Sequence, residues 1–161
     1  MGQYDVAQVC PNGHVSNDSA ARYPEHNQDC CDRCGEATMT NCQSCDEPIR
    51  GDYHADNLVA VGFTYIPPAF CHKCGASFPW TDRRSRAAID LFLEDSNIAA
   101  DNEQFEESIQ QIARDTPQAQ VASKRVTKLL GKIGKETASA IRDILVDVAS
   151  ETAKKILFPE P

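Results

Sequence analysis

The sequence predicts a small cysteine-rich β module followed by an all-α C-terminal region of about three helices. Three observations predict it. All eight Cys of the 161-residue chain lie in the first 74 residues. Up to residue 80, glycines and prolines are frequent and apolar residues come in short β-prone bursts, whereas helical periodicity takes over beyond Trp80-Thr81. Charge changes along the same line: residues 1–80 carry 4 Lys/Arg and 10 Asp/Glu, residues 81–116 carry 4 and 9, and residues 117–161 carry 8 and 5. The chain thus divides into a module at 1–80, an acidic helical pair at 81–116 and a basic amphipathic long helix at 117–161.

Four ligand pairs occur in order: Cys10-x3-His14, Cys31-x2-Cys34, Cys42-x2-Cys45 and Cys71-x2-Cys74. Short spacing lets one tight turn present both ligands, and two pairs complete a tetrahedral Zn²⁺ shell. Pairing in sequence order gives site 1 as Cys10, His14, Cys31 and Cys34, and site 2 as Cys42, Cys45, Cys71 and Cys74. A cross-braced alternative would normally set its middle pairs two or three residues apart, whereas seven residues separate Cys34 from Cys42, enough for a strand at Ala37-Thr38-Met39-Thr40. The expected cofactors are therefore two structural Zn²⁺, which makes 1–80 a zinc-stabilised β module, a double zinc-ribbon-like unit with ribbon or knuckle sites. Iron in the all-cysteine second set is the alternative metal. Cys30 is either a spare thiol or a one-residue substitute for Cys31. His26, His54 and His72 have no partner at ligand spacing and read as surface residues.

Within the module, Leu58-Val59-Ala60-Val61 and Phe63-Thr64-Tyr65-Ile66 read as short strands flanking a bend at Gly62. The loop Pro48-Ile49-Arg50-Gly51-Asp52-Tyr53-His54 reads as a ribbon hairpin or, less simply, a recognition surface. Beyond it, Thr81 is expected to N-cap a helix with the stripe Ala88, Ile89, Leu91 and Phe92. Asp101 with Gln104 resembles a capping box opening a second helix carrying Phe105, Ile109, Ile112 and Ala113. Thr116-Pro117 looks like an N-cap followed by proline at the first helical position. The last helix carries Val126, Leu129, Leu130 and Ile133, then Ile141, Ile144, Leu145, Val148, Thr152 and Ile156. Gly131 and Gly134 each cost a helix about 1 kcal/mol relative to Ala, so a break near 131–134 is expected.

Lys124, Lys128, Lys132 and Lys135 share one helix face, flanked by Arg125, with no acidic residue from 124 to 135. Such a face suits the chain's own acidic part, an acidic protein partner, nucleic acid or, least well, a membrane. The apolar stripe of 136–157 must be buried against the preceding helices or another subunit, and self-association through it is the preferred expectation. With net charge −8 the chain is unlike a freestanding DNA-binding protein, which leans basic. The composition also excludes a disordered, collagen-like or membrane protein. No secretory signal, myristoylation motif, phosphate loop or nucleophile elbow is present, so a cytoplasmic, non-enzymatic protein is expected. Two functions remain in view: a zinc-binding adaptor or assembly protein, and a nucleic-acid-binding regulator using the 124–135 face.

The opening Met-Gly-Gln-Tyr-Asp-Val-Ala-Gln-Val-Cys with Asn12-Gly13-His14 resembles a bacterial family known only as a domain of unknown function, number 2321. So do the residues from Pro48 to His54, Cys71-His72-x-Cys74-Gly75 with Pro79-Trp80-Thr81, and Asp143-Ile144-Leu145-Val146-Asp147. The resemblance implies a bacterial protein with a zinc-ribbon-like front end and supplies no activity. Cys10-x3-His14 departs from the first Cys-x-x-Cys of double zinc ribbons.

Overall fold

The computed structural model describes residues 1–56 and 61–160, in two compact units divided between Thr81 and Asp82. The first unit contains β1 (Gln3–Val6), β2 (Gln8–Val9), β3 (Val15–Asn17) and β4 (Arg50–His54). β1 pairs antiparallel with β4 in the register Gln3↔His54 and Tyr4↔Tyr53, and β2 pairs antiparallel with β3. Regular strand pairing is therefore sparse, and isolated bridges do the rest: Val9↔Met39, Cys30↔Ala37, Asn41↔Pro48 and Phe70↔Ser77. The apolar core is correspondingly small. Ala7, Val9, Ile49, Phe78 and Trp80 cluster with the ligand residues Cys42 and Cys71, and Phe78 stacks on Trp80 at 4.6 Å.

The segment 48–54 is not the expected ribbon hairpin: Pro48 closes the preceding turn by its bridge to Asn41, and Arg50-Gly51-Asp52 belongs to β4, whose partner is the distant β1. Gly51 is there because nothing larger fits. An added Cβ would lie 2.2 Å from the Asp18 carbonyl oxygen and 2.8 Å from the Val6 carbonyl carbon.

The strand expectations fare unevenly. Residues 37–40 form no strand, only the bridges of Ala37 and Met39. Residues 63–66 are not a strand either: Phe63 and Ile66 point outward, 87% and 79% exposed, and the following Pro67-Pro68 lacks donors for a ladder. Gly62 does mark a bend, at φ +85°. Of the other expected strand, Leu58, Val59 and Ala60 lie outside the described residues, and Val61 is in no strand.

The second unit is helical, and it has five helices in place of the expected three. They are α1 (Pro79–Asp95), which starts just before the boundary, α2 (Ala99–Ile112), α3 (Pro117–Leu130), α4 (Lys135–Leu145) and α5 (Glu151–Leu157). α2 packs on α3 and α3 on α5. The expected stripes converge on one core containing Ala88, Ile89, Phe92, Phe105, Ile109, Ile112, Val126, Leu129, Leu130, Ile141 and Leu145, with Phe92 and Phe105 stacked at 4.0 Å. Ser108 and Ser123 are buried here without penalty, because each hydroxyl donates to the carbonyl four residues earlier, Gln104 and Ala119.

The long helix expected at 117–161 is thus three helices. The break near 131–134 is present: Gly134 takes an extended conformation (ψ 142°) as the N-cap of α4. A second break follows α4, where Ser150 accepts a hydrogen bond from the Ala153 amide and N-caps α5. The apolar stripe runs through this break because Val148 is buried in the connecting turn. Two N-caps also move. α1 starts at Pro79, whose fixed φ suits a first turn, while the Thr81 hydroxyl donates instead to the Ala69 carbonyl. α2 starts at Ala99, so the N-cap position falls on Ile98, which offers no side-chain acceptor, and Asp101 lies inside the first turn, where its carboxylate pairs with Lys132 at 2.9 Å. At Thr116 the extended backbone and the proline at the first helical position are as expected, without a side-chain cap bond. Among the described residues no helix is long and apolar enough to cross a membrane.

Candidate metal centres

Three hairpins of the first unit are copies of one another. In residues 30–37, 41–48 and 70–77 the first Cys donates its amide to a carbonyl five residues on: Cys31 to Glu36, Cys42 to Glu47 and Cys71 to Ala76, each at 2.8 Å. Its own carbonyl accepts from the amide four residues on, from Gly35, Asp46 and Gly75 respectively. A bridge closes each hairpin outside the Cys pair. The residue after the second Cys lies in the left-handed region every time, with φ +74° at Gly35, +62° at Asp46 and +73° at Gly75. The Cys10–His14 turn is a shorter variant, with Cys10 donating to the His14 carbonyl and Gly13 at φ +84°.

Asp46 is the non-glycine member of this set. Left-handed backbone costs an L residue about 1–2 kcal/mol, less for Asp than for most. Asp46→Gly is therefore expected to stabilise the unit by roughly 0.5–1 kcal/mol, after glycine's greater unfolded-state entropy is set against the relief. Denaturation followed through the single Trp, Trp80, measures it; an unchanged or lower midpoint would contradict the strain assignment.

The hairpins bring the eight ligands into two sets. Cys10, His14, Cys31 and Cys34 form one, and Cys42, Cys45, Cys71 and Cys74 the other; within each set the ligand atoms lie within 4.8 Å of one another. In the first, Cys10 Sγ is 3.7 Å from Cys34 Sγ, and His14 Nδ1 is 3.6 Å from Cys31 Sγ. In the second, Cys42–Cys74 and Cys45–Cys71 sulfurs are 3.8 and 3.7 Å apart. Either set could hold a metal ion. This is the sequential grouping, without cross-bracing.

Cys31, not Cys30, completes the first set. Cys30 sits one position earlier, where the sister hairpins have Asn41 and Phe70, and its exposed thiol stands beside the hairpin-closing bridge to Ala37. The remaining histidines have other surroundings. His72 Nε2 faces Glu47 at 3.4 Å, His54 Nε2 faces the Ser19 hydroxyl at 3.3 Å and Asp5 at 4.0 Å, and His26 is exposed against Tyr23.

Backbone amides prepare some thiols for a cation. The Glu36 amide and then the Asn12 side chain hold Cys34 down at about 6, and the Cys74 and Lys73 amides hold Cys71 at about 7. Burial pushes the Cys10 thiol up. At Cys45 the Glu47 amide pulls down, but burial and the thiols of Cys74, Cys71 and Cys42 outweigh it and leave the group at about 12. Without a cation, four close thiols resist full ionisation; a bound metal ion removes that resistance. Beside the second set, the hydrogen bond from Lys73 lowers the Glu47 carboxyl pKa through a 2.6 Å ion pair.

The residues expected to bind anions are not one assembled site. Lys132 is spent on Asp101. Lys124 and Lys128 are exposed and Arg125 half-buried on α3, none in an ion pair among the described residues, and Lys135 lies past the break on α4. What the sequence reading missed is the threefold hairpin repeat, which was legible in the Cys-x-x-Cys pairs followed by Gly, Asp and Gly.

The chain matches no curated protein and no solved structure. A family described as uncharacterised proteins conserved in bacteria, the domain of unknown function 2321, matches residues 3–157, nearly the full length, and the chain belongs to that family.

Proposed function

We propose that the chain is a non-enzymatic, zinc-binding adaptor or assembly protein, its metal-built unit a rigid interaction surface and its helices a docking element. The donors, three thiolates with one imidazole and four thiolates, are those that structural zinc takes. Zn–S bonds of about 2.3 Å at tetrahedral angles separate sulfurs by about 3.8 Å, and a Zn–N bond of about 2.0–2.1 Å gives an S···N edge of about 3.6 Å. The spacings of 3.7, 3.8, 3.7 and 3.6 Å agree. The observation that carries the reading is that four protein ligand atoms converge in each set. A filled tetrahedral shell leaves no position for water or substrate, which is the mark of structural over catalytic zinc.

Metal analysis of protein purified without added zinc is expected to find about two Zn per chain; one or none would overturn the assignment. The exposed, unpaired Lys124 and Lys128 support the second reading, nucleic-acid binding. Capture from a bacterial lysate by the full chain and by Lys124→Glu/Lys128→Glu, with and without nuclease, separates the two. A protein partner that survives nuclease supports the adaptor. Nucleic acid as the sole captured species, lost in the variant and falling steeply with salt, supports the alternative.

A further inference from the structure

The first unit presents an apolar surface that its own core leaves uncovered. Within six residues Val61, Phe63 and Ile66 are 86%, 87% and 79% exposed. The segment is held by its neighbours. The Tyr65 hydroxyl donates to the Arg50 carbonyl, and Tyr65 packs against the core. The Pro68 and Ala69 carbonyls accept from the Trp80 indole and the Thr81 hydroxyl. Anchored at Tyr65 and again at Pro68 and Ala69, the loop shows Phe63 and Ile66 to solvent.

On the same unit the Arg50 guanidinium lies 4.9 Å over the Tyr4 ring, and Tyr53 is in edge contact with Tyr4 at 5.1 Å. Both tyrosines are about half exposed. Clustered apolar exposure of this kind marks interaction sites, and aromatic residues are the usual anchors of interfaces.

The surrounding charge selects the partner. Residues 1–80 carry 10 acidic against 4 basic side chains. Asp18 and Asp52 lie close enough to Tyr65 that, after burial, their charges are what raise its hydroxyl pKa. We infer that the face built on Phe63 and Ile66 docks a protein segment that is apolar with Lys/Arg flanks. This rests on the adaptor reading and names the chemistry of its partner. An anionic membrane or a nucleic acid would meet a repulsive surface here, whereas a basic apolar segment gains from both terms.

The test uses the full, zinc-loaded chain and three labelled helix-forming peptides, made of Leu and Lys, Leu and Glu, and Ser and Lys, followed by fluorescence anisotropy. The Leu/Lys peptide is expected to bind, more weakly as salt rises, and the other two are not. Phe63→Ser/Ile66→Ser is expected to weaken Leu/Lys binding by about tenfold or more. Because both side chains are exposed, zinc content and Trp80 emission should stay unchanged in the variant; Phe63→Ala is a milder second variant. Equal binding by the variant, by Ser/Lys or by Leu/Glu would overturn the docking surface. So would self-association of the wild type that the variant abolishes, which would make a second copy the occupant. The zinc analysis and the lysate capture are read independently of these peptides, so the adaptor reading and this surface fail separately.

Discussion

With zinc in both sets, as proposed, its removal is expected to unfold the first unit and leave the helical unit standing. Cys42 and Cys71 are part of the small core, beside Phe78 and Trp80, and among the described residues only Ala7, Val9 and Ile49 complete its buried centre. So few residues cannot offset the conformational entropy of ordering about 80 residues. Structural zinc contributes on the order of 10–16 kcal/mol per site in small peptides, enough to decide whether such a unit folds. Trp80 is the only tryptophan and is 1% exposed, so its emission reports this unit. Chelation, or Cys45→Ser at one site, is expected to shift that emission to the red. Helical circular dichroism should persist, because Phe92, Phe105, Val126, Leu130 and Ile141 form a core of their own. Joint collapse of both signals would refute the division into two independent units.

Gly51→Ala is expected to be the most damaging single methyl in the chain. The added carbon would meet backbone, the Asp18 oxygen at 2.2 Å and the Ala7 nitrogen at 3.0 Å, so no rotamer change can relieve it. The same Asp18 carbonyl accepts from the Asp52 amide, and the Ala20 amide donates to the Val6 carbonyl, so separating these segments loosens both bonds. A loss of about 3 kcal/mol or more is expected for the zinc-loaded unit. Denaturant titration read through Trp80 checks it; a midpoint close to wild type would mean that β4 does not approach this closely. By contrast, Gly35→Ala meets nothing within 4 Å and strains only the backbone, at φ +74°, so its cost should be the smaller one, about 1 kcal/mol.

Local chemistry was legible in the sequence alone. The eight ligands and their grouping follow from pair spacing, because a tight turn places two ligands on one side without help from distant residues. The change of architecture near residue 81, the helical stripes and the break at Gly131–Gly134 follow from periodicity and propensity, which are properties of neighbouring residues. What needed the tertiary structure involves partners far apart in sequence. Asp101 resembles a cap residue, but α2 starts before it and its carboxylate pairs with Lys132, 31 positions on. Thr81 does too, until the Ala69 carbonyl takes its hydroxyl. Phe63 to Ile66 has strand propensity but no strand to pair with, and propensity cannot supply one. Gly51 is indistinguishable from a turn glycine until Asp18 is seen against it. Sequence thus determined which atoms could bind metal and which faces are apolar, since short-range geometry sets both. Tertiary structure decided which of those groups were already committed, since that depends on chain segments that only folding brings within reach.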